Sequence, residues 1–431
     1  MNYISLVMGT AILTFIMFFW SARMRDISDN ARWVPVLAPD KPTAIPEIPP
    51  LISIIVPAHN EEIMIRSCLE SVIAQDYADL EIICVNDRST DRTAEIVAEL
   101  FQGRSNCRII TINDRPSGWT GKCNALHEGV KYSSGDWLAF LDADSRLHSS
   151  ALRQCLDEAL KRKINLVTLS PKFELDTFWE KALVPTFAAM AAIIFPLAKV
   201  NNPKSPVATA NGMFFIISRS AYEKIGGHCN VRDLAVEDIG IGKRIKAAGM
   251  GLLFANGKNL LSTRMYSDFK QCMHGWTRIL CAAMNYKITT VLRYLAMHVL
   301  VSLPSFILAA YLFSQPAMEF WPNFWFLLPL AVGVQMTLIP CLFADQLGAP
   351  RKYSVYIILG NLMLVWMFLV MLKKIGFRDA LQWRGTTYCY TRYQPKRLDP
   401  SQMEISEAPN GFGSFQTVNE SETFERPSSS S

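Results

Sequence analysis

Residues 80–91, LEIICVNDRSTD, decide the fold. An apolar run rich in β-branched residues stops at an acid, Asp87, and gives way to Ser89 and Asp91, which are suited to cap a helix over 91–101. Such a run shows no clean alternation of faces, so it suits a strand covered on both sides, as in a parallel sheet. The same unit recurs outward in both directions. LISIIV (51–56), CRIITI (107–112), WLAFLD (137–142) and INLVTL (164–169) alternate with helical stretches over 61–75, 121–131 and 149–162. Strand and helix in alternation predict an open, Rossmann-like α/β sheet whose first half binds a nucleotide. Further on, GMFFIIS (212–218) reads as a strand and VEDIGIGKRIKAAG (236–249) as a helix ending at Gly249. The apolar stretch 181–200 is interrupted by Pro185 and Pro196, and predicts an interfacial or partly buried helix, not a span.

Half of the 431 residues are hydrophobic and 19% are charged, with the apolar excess gathered in blocks. This balance excludes an ordinary soluble protein and predicts a membrane protein with a soluble part. YISLVMGTAILTFIMFFW (3–20) is long enough to cross a bilayer and lacks a basic leader and a cleavage signature, so a permanent anchor over 1–22 is expected. Arg23, Arg25 and Arg32 follow it and place the next segment in the cytoplasm. A stiff Pro-rich linker is predicted over 23–50, the α/β domain over 51–286, and a C-terminal transmembrane region over 287–372. That region holds apolar blocks at 294–314, 324–343 and 353–372; a basic juxtamembrane segment (373–397) and a disordered polar tail (398–431) follow. Three full crossings would leave the basic segment outside, against the positive-inside rule, so one block is expected to be re-entrant or interfacial. Beside apolar blocks, the basic segment reads as an anchor for anionic lipid, and no nucleic-acid partner is expected. The ten cysteines show no C-x-x-C pair and no zinc spacing, which fits a reduced compartment.

The chemistry gathers at strand ends, where open α/β sheets bind ligands. Asp142 and Asp144 close the run LAFLDADS, and alternation sends both carboxylates to one side of the backbone. Two acids so placed call for a cation between them, and hard ions such as Mg2+ or Mn2+ take carboxylate oxygens while keeping positions for substrate phosphates. Glu237 and Asp238 open a helix, where acids complement the dipole; a carboxylate opposite a metal-diphosphate also serves as general base toward an alcohol. PSGWTGKCNAL (116–126) resembles half of a P-loop, but Pro116 replaces its first glycine and Cys123 its hydroxyl, which excludes a triphosphate cradle of that type.

SIIVPAHNEE, VNDRSTD, GWTGKCNAL, FLDADS and VEDIGIGKRIKAAG together resemble, in order and spacing, the family 2 glycosyltransferases of GT-A fold, over about 51–286. GWTGK, TRMYSDF and WRGTTY look most like the membrane-bound hopene-associated subgroup, with ceramide glucosyltransferases a more distant likeness. The resemblance implies an α/β GT-A domain with flanking transmembrane helices, facing the cytoplasm and transferring a sugar from a nucleotide-sugar, typically a UDP-sugar, to a membrane lipid. It implies that Pro57, Ala58 and Glu61 line the nucleotide pocket and that Asp87 receives the base, typically uracil. Lys122 would lie near the diphosphate, with Asn124 on the pocket floor; Asp142 would serve the ribose or metal side, with Asp144 as principal metal ligand. Asp238 would be the catalytic base, beside Glu237, and the anomeric centre would invert. Processive and ceramide-type members carry Q/R-x-x-R-W, but QCMHGWTR (271–278) has no Arg before Trp276 and a longer spacing. This departure favours single-sugar transfer over a processive polysaccharide synthase, with Trp276 either stacking on the acceptor sugar or lipid head or standing as an interfacial tryptophan at the membrane surface. A non-catalytic membrane scaffold with a degenerate nucleotide domain is the alternative of another class, and the intact acids stand against it.

Overall fold

A computed structural model describes residues 34–266, 268–299, 344 and 347–376, the backbone of 381–383 and 386–388, and scattered positions between 11 and 25. The anchor at 3–20, block 324–343, most of block 294–314, most of the basic segment and the whole tail lie outside these residues, apart from those scattered positions.

The strands are β1 (Ile52–Ala58), β2 (Leu80–Asp87), β3 (Cys107–Ile112), β4 (Trp137–Leu141), β5 (Ser145–Leu147), β6 (Leu166–Ser170), β7 (Lys172–Phe173), β8 (Phe214–Ser218), β9 (Leu252–Asn256) and β10 (Leu261–Thr263). Seven of them form one sheet in the order β3-β2-β1-β4-β8-β6-β9. Helices α1 (Ile65–Ile73), α2 (Thr93–Phe101), α3 (Gly121–Lys131) and α4 (Ala151–Arg162) follow the predicted stretches. Alternation along β1 divides the core: Ile54 and Val56 join Leu69 and Leu156 on one face, and Ile55 joins Leu126 and Phe140 on the other.

One expectation needs correction. β8 runs antiparallel to both β4 and β6, so the sheet is mixed, not parallel. A continuous apolar run records burial on both faces and carries no information on strand direction. The reversal has a functional consequence: the start of β8 meets the end of β4, where the Asp142 amide donates to the Met213 carbonyl at 3.0 Å. β9 and the small sheet β5-β10-β7 were not predicted, because strands of two to five residues hold too little periodicity to read.

The stretch read as a stiff Pro-rich linker packs on the domain from Val34 onward. Leu37 is fully buried, and residues 35–37 pair with the outer strand β9 through Leu37 N–H to Asn256 O (3.0 Å) and Asn256 N–H to Pro35 O (2.8 Å). An outer strand otherwise leaves a row of unpaired backbone groups. Lys41 then pairs with Glu158 of α4 at 2.7 Å.

The apolar stretch 181–200 forms two helices, α5 (Phe178–Ile194) and α6 (Leu197–Asn201), which meet at Pro196. Thr177 and Glu180 form a reciprocal capping box at the start of α5. After α7 (Arg219–Lys224) and α8 (Glu237–Ala247) come α9 (Phe269–Ala283), α10 (Ile288–Met297) and α11 (Ile357–Gly376). Leu183 and Phe187 of α5, Trp276 and Leu280 of α9, and Met367 and Phe368 of α11 form a third apolar cluster beside the sheet. Among the described residues one helix, Arg351–Gly376, is long and apolar enough to cross a bilayer.

Helix α3 lies close on β1 and β2 because it carries Gly129. A Cβ there would stand 2.5 Å from Ile55 Cγ2 and 3.0 Å from Val85 Cγ2, both on stiff, buried, β-branched side chains. Gly129→Ala is therefore expected to destabilise the domain by about 1–3 kcal/mol, read as a lower midpoint in urea unfolding.

Candidate active site

A cleft of about 390 Å³ opens at the carboxyl ends of the parallel strands. Continuous apolar runs bury the strand bodies, and the residues at their carboxyl ends line the cleft: Pro57 and Ala58 of β1, Asp87 of β2, and Asp142 and Asp144 just past β4. The reversed β8 adds Asn211 and Gly212 from its start, and the first turn of α8 adds Glu237 and Asp238. Glu61, Lys122 and Trp276 also line the cleft. Asn124 does not: it is buried on α3, one turn past the cap at Thr120, and the pocket-floor position expected for it belongs to Gly121, Lys122 and Ala125. A helix turns its face every few residues, so neighbours in sequence part company.

Lys122 sits at the centre of the acids. Its Nζ lies 2.6 Å from Asp142 Oδ1 and 2.7 Å from Glu237 Oε1, and donates to the Gly212 carbonyl at 3.4 Å. Desolvation works against its charge, but the Asp142 and Glu237 carboxylates outweigh that and hold the ammonium above the usual lysine range. Desolvation also works to raise Glu237, yet Lys122 keeps it below the usual carboxylate range. Among the described residues no cation forms an ion pair with Asp238, and Lys122 lowers it only from a distance. Desolvation and then the Glu237 charge push its carboxyl up to about 7. Its Oδ1 accepts from the Ile239 amide at 2.7 Å and its Oδ2 from the Gly212 amide, which fixes the carboxylate in place. A Cβ at Gly212 would lie 2.9 Å from Asp238 Oδ2 and 3.1 Å from Lys122 Nζ, so only glycine lets this backbone approach both groups.

Asp142 is raised to about 6 by desolvation, against the opposing pull of Lys122 and with the help of Asp144. Asp144 Oδ1 lies 3.3 Å from Ser145 Oγ and 3.4 Å from Thr263 Oγ1. The two aspartates present hard oxygen donors to the cleft, and among the described residues no group of three or more His, Cys, Asp or Glu is built to hold a metal ion. A divalent ion here would take part of its shell from Asp142 and Asp144 and the rest from substrate phosphate and water.

Arg88 was missed by sequence reasoning. It forks onto Asp87, Nε to Oδ1 at 2.8 Å and Nη2 to Oδ2 at 3.0 Å, and occupies the carboxylate expected to receive a base. Its φ of 55° is unusual for a residue with a side chain. Gly212 was missed as a site residue because the direction of its strand was unreadable. Trp276 is 4% exposed, 5.9 Å from the ring of Phe187, and its Nε1 has no partner among the described residues. Tyr266 Oη, on the same wall, is likewise buried without one. His228 is a core residue: burial pushes its imidazole down to about 3, and its Nδ1 lies 2.8 Å from Tyr222 Oη.

A Rossmann-like sheet with acids at its strand ends and a cation among them defines an α/β class of domain with its cleft at the carboxyl ends of the strands. Comparison adds to this: residues 53–226 match the Glycosyl transferase family 2. The chain is 28% identical over 230 residues to 4,4'-diaponeurosporenoate glycosyltransferase of Staphylococcus haemolyticus (strain JCSC1435), covering 53% of this chain and 60% of that protein. It is 34% identical over 182 residues to the probable glycosyltransferase YdaM of Bacillus subtilis (strain 168), covering 41% of this chain and 43% of that protein. A solved structure, the mannosyltransferase PcManGT from Pyrobaculum calidifontis in complex with GDP-Man and Mn2+, superposes with a TM-score of 0.49 at 16% identity, covering 81% of this chain and 99% of that one.

Proposed function

We propose that the protein is an inverting glycosyltransferase that moves a sugar from a nucleotide-diphosphate donor, a UDP-sugar, to a hydroxyl of a membrane lipid. The observation that carries this reading is the two-sided lining of one cleft. Carboxylates and Lys122 at the strand ends share it with Ala188, Ala191 and Ala192 of α5, Ile279 and Ala283 of α9, and Leu347. The polar side suits a charged donor and the apolar side suits the body of a lipid. A hopanoid, other isoprenoid or sphingolipid-type acceptor fits the subgroup likeness, and the Staphylococcus relative is named for 4,4'-diaponeurosporenoate. The apolar helix Arg351–Gly376 supports an integral membrane protein, and Arg23, Arg25 and Arg32 support a domain that faces the cytoplasm.

In this reading Pro57, Ala58, Glu61 and the Asp87–Arg88 pair hold the nucleotide. Asp142 and Asp144 would hold Mg2+ or Mn2+, which when bound offsets charge building on the departing diphosphate. Asp238, oriented by the Gly212 and Ile239 amides, takes the proton of the acceptor hydroxyl. As the acceptor oxygen bonds to the anomeric carbon, the bond to the phosphate oxygen breaks and the diphosphate leaves with the electron pair. Tyr266 and Trp276 leave two donors beside the cleft for polar atoms of the acceptor head.

The test is transfer from a panel of nucleotide sugars to lipid acceptors by the purified protein with Mn2+ or Mg2+, with product size separating one added sugar from a polymer. Full activity in both Asp144→Asn and Asp238→Asn would overturn the assignment. Ala192→Phe narrows the apolar side only, and is expected to raise the acceptor KM about tenfold or more while leaving donor hydrolysis unchanged.

A further inference from the structure

The position of Lys122 runs against its local setting. It stands in the first turn of α3, where the helix dipole disfavours a cation. The three donors of its ammonium reach three separate elements: Asp142 past β4, Glu237 at the start of α8 and the Gly212 carbonyl before β8. One of the two carboxylates available to a metal, Asp142, is therefore already engaged by a resident positive charge. A divalent ion entering the cleft must share that carboxylate with the ammonium, and no group of three or more His, Cys, Asp or Glu among the described residues is there to complete its shell. A diphosphate changes both conditions at once. Its oxygens supply the missing ligands, and they offer Lys122 an anionic partner that lets it release Asp142.

We propose that Lys122 is the internal counter-ion of the acidic cleft, a positioning residue that keeps divalent metal from binding before the donor and couples the two binding events. The inference rests on the reading of the cleft as a nucleotide-diphosphate site. It makes metal and donor binding reciprocal: whatever factor UDP adds to Mn2+ affinity, Mn2+ adds to UDP affinity. Lys122 contributes to that factor from both sides, opposing metal alone and favouring the complex.

The experiment is Mn2+ binding to the purified full chain, followed by electron paramagnetic resonance of the free ion, with and without UDP. In the wild type, UDP is expected to tighten Mn2+ binding about tenfold or more. Lys122→Gln and Lys122→Met are expected to bind Mn2+ more tightly than wild type without UDP, yet more weakly than wild type with it. Lys122→Arg, which keeps the charge, is expected to retain the coupling. A merely structural role would weaken Mn2+ binding in both conditions, so the opposite signs are diagnostic. Circular dichroism selects the neutral variant that keeps its fold, and either one suffices. Tighter Mn2+·UDP binding in wild type with no change in the coupling of the neutral variants overturns the inference alone. Absence of any UDP-dependent Mn2+ binding in the wild type overturns the donor-site reading and the inference with it.

Discussion

Asp238→Asn is expected to lower kcat by about 10²- to 10⁴-fold while donor affinity, measured by calorimetry with UDP, stays within about twofold. An amide keeps the shape of the carboxylate, and its one oxygen can still accept from either the Gly212 or the Ile239 amide, so this corner loses one of its two hydrogen bonds. What it loses is the ability to take a proton. The alcohol is then left to attack without a base, and a loss in kcat without a matching loss in binding is the signature of a group that acts in the transition state. The same carboxyl sets a pH dependence. Desolvation and the Glu237 charge raise Asp238 to about 7, and below that value the protonated, inactive form dominates. kcat/KM is therefore expected to rise with pH through a midpoint near 7. Glu237→Gln removes the neighbouring negative charge, lowers the Asp238 value and shifts the midpoint toward acid. A profile that stays flat from pH 5 to 9 would remove Asp238 from the role of base.

Asp144→Asn is expected to reduce kcat/KM by about 10²- to 10³-fold, a loss of several kcal/mol of charge stabilisation, with no recovery at saturating Mn2+. Asp142 is shared with Lys122, and the Asp144 carboxylate lies within reach of the hydroxyls of Ser145 and Thr263. An amide at 144 offers one neutral oxygen in place of two charged ones, and a hard cation loses one of its carboxylate ligands. Its defect differs in kind from that of Asp238→Asn, because it falls on metal-dependent UDP binding as well as on turnover. Calorimetry with UDP in the presence of Mn2+ and then with EDTA separates the two: Asp144→Asn is expected to bind UDP equally weakly in both, as the wild type does only with EDTA.

The first half of the site was legible because each of its residues follows directly from a buried strand. Where an apolar run ends, the next polar side chain emerges at the edge of the sheet, so Asp87, Asp142 and Asp144 shared one edge before any pairing was known. The pairing itself was not legible. Lys122 and Gly212 are ninety residues apart in the chain, and their 3.4 Å contact depends on β8 running against β4. An apolar run of five residues is the same read forward or backward. The engagement of Asp87 by its own neighbour Arg88 also escaped notice, since it requires a left-handed φ that no residue type at 88 announces.

By itself, then, the sequence determined the alternating α/β architecture, the boundaries of most helices and the gathering of acids at one edge, because these depend on burial and on local backbone preference. Tertiary structure alone decided the direction of β8, the packing of residues 34–46 onto the domain, the withdrawal of Asn124 from the cleft and the place of Lys122 between Asp142 and Glu237. Those depend on which distant surfaces meet, and a carboxylate or an ammonium changes its chemistry only once its neighbours in space are fixed.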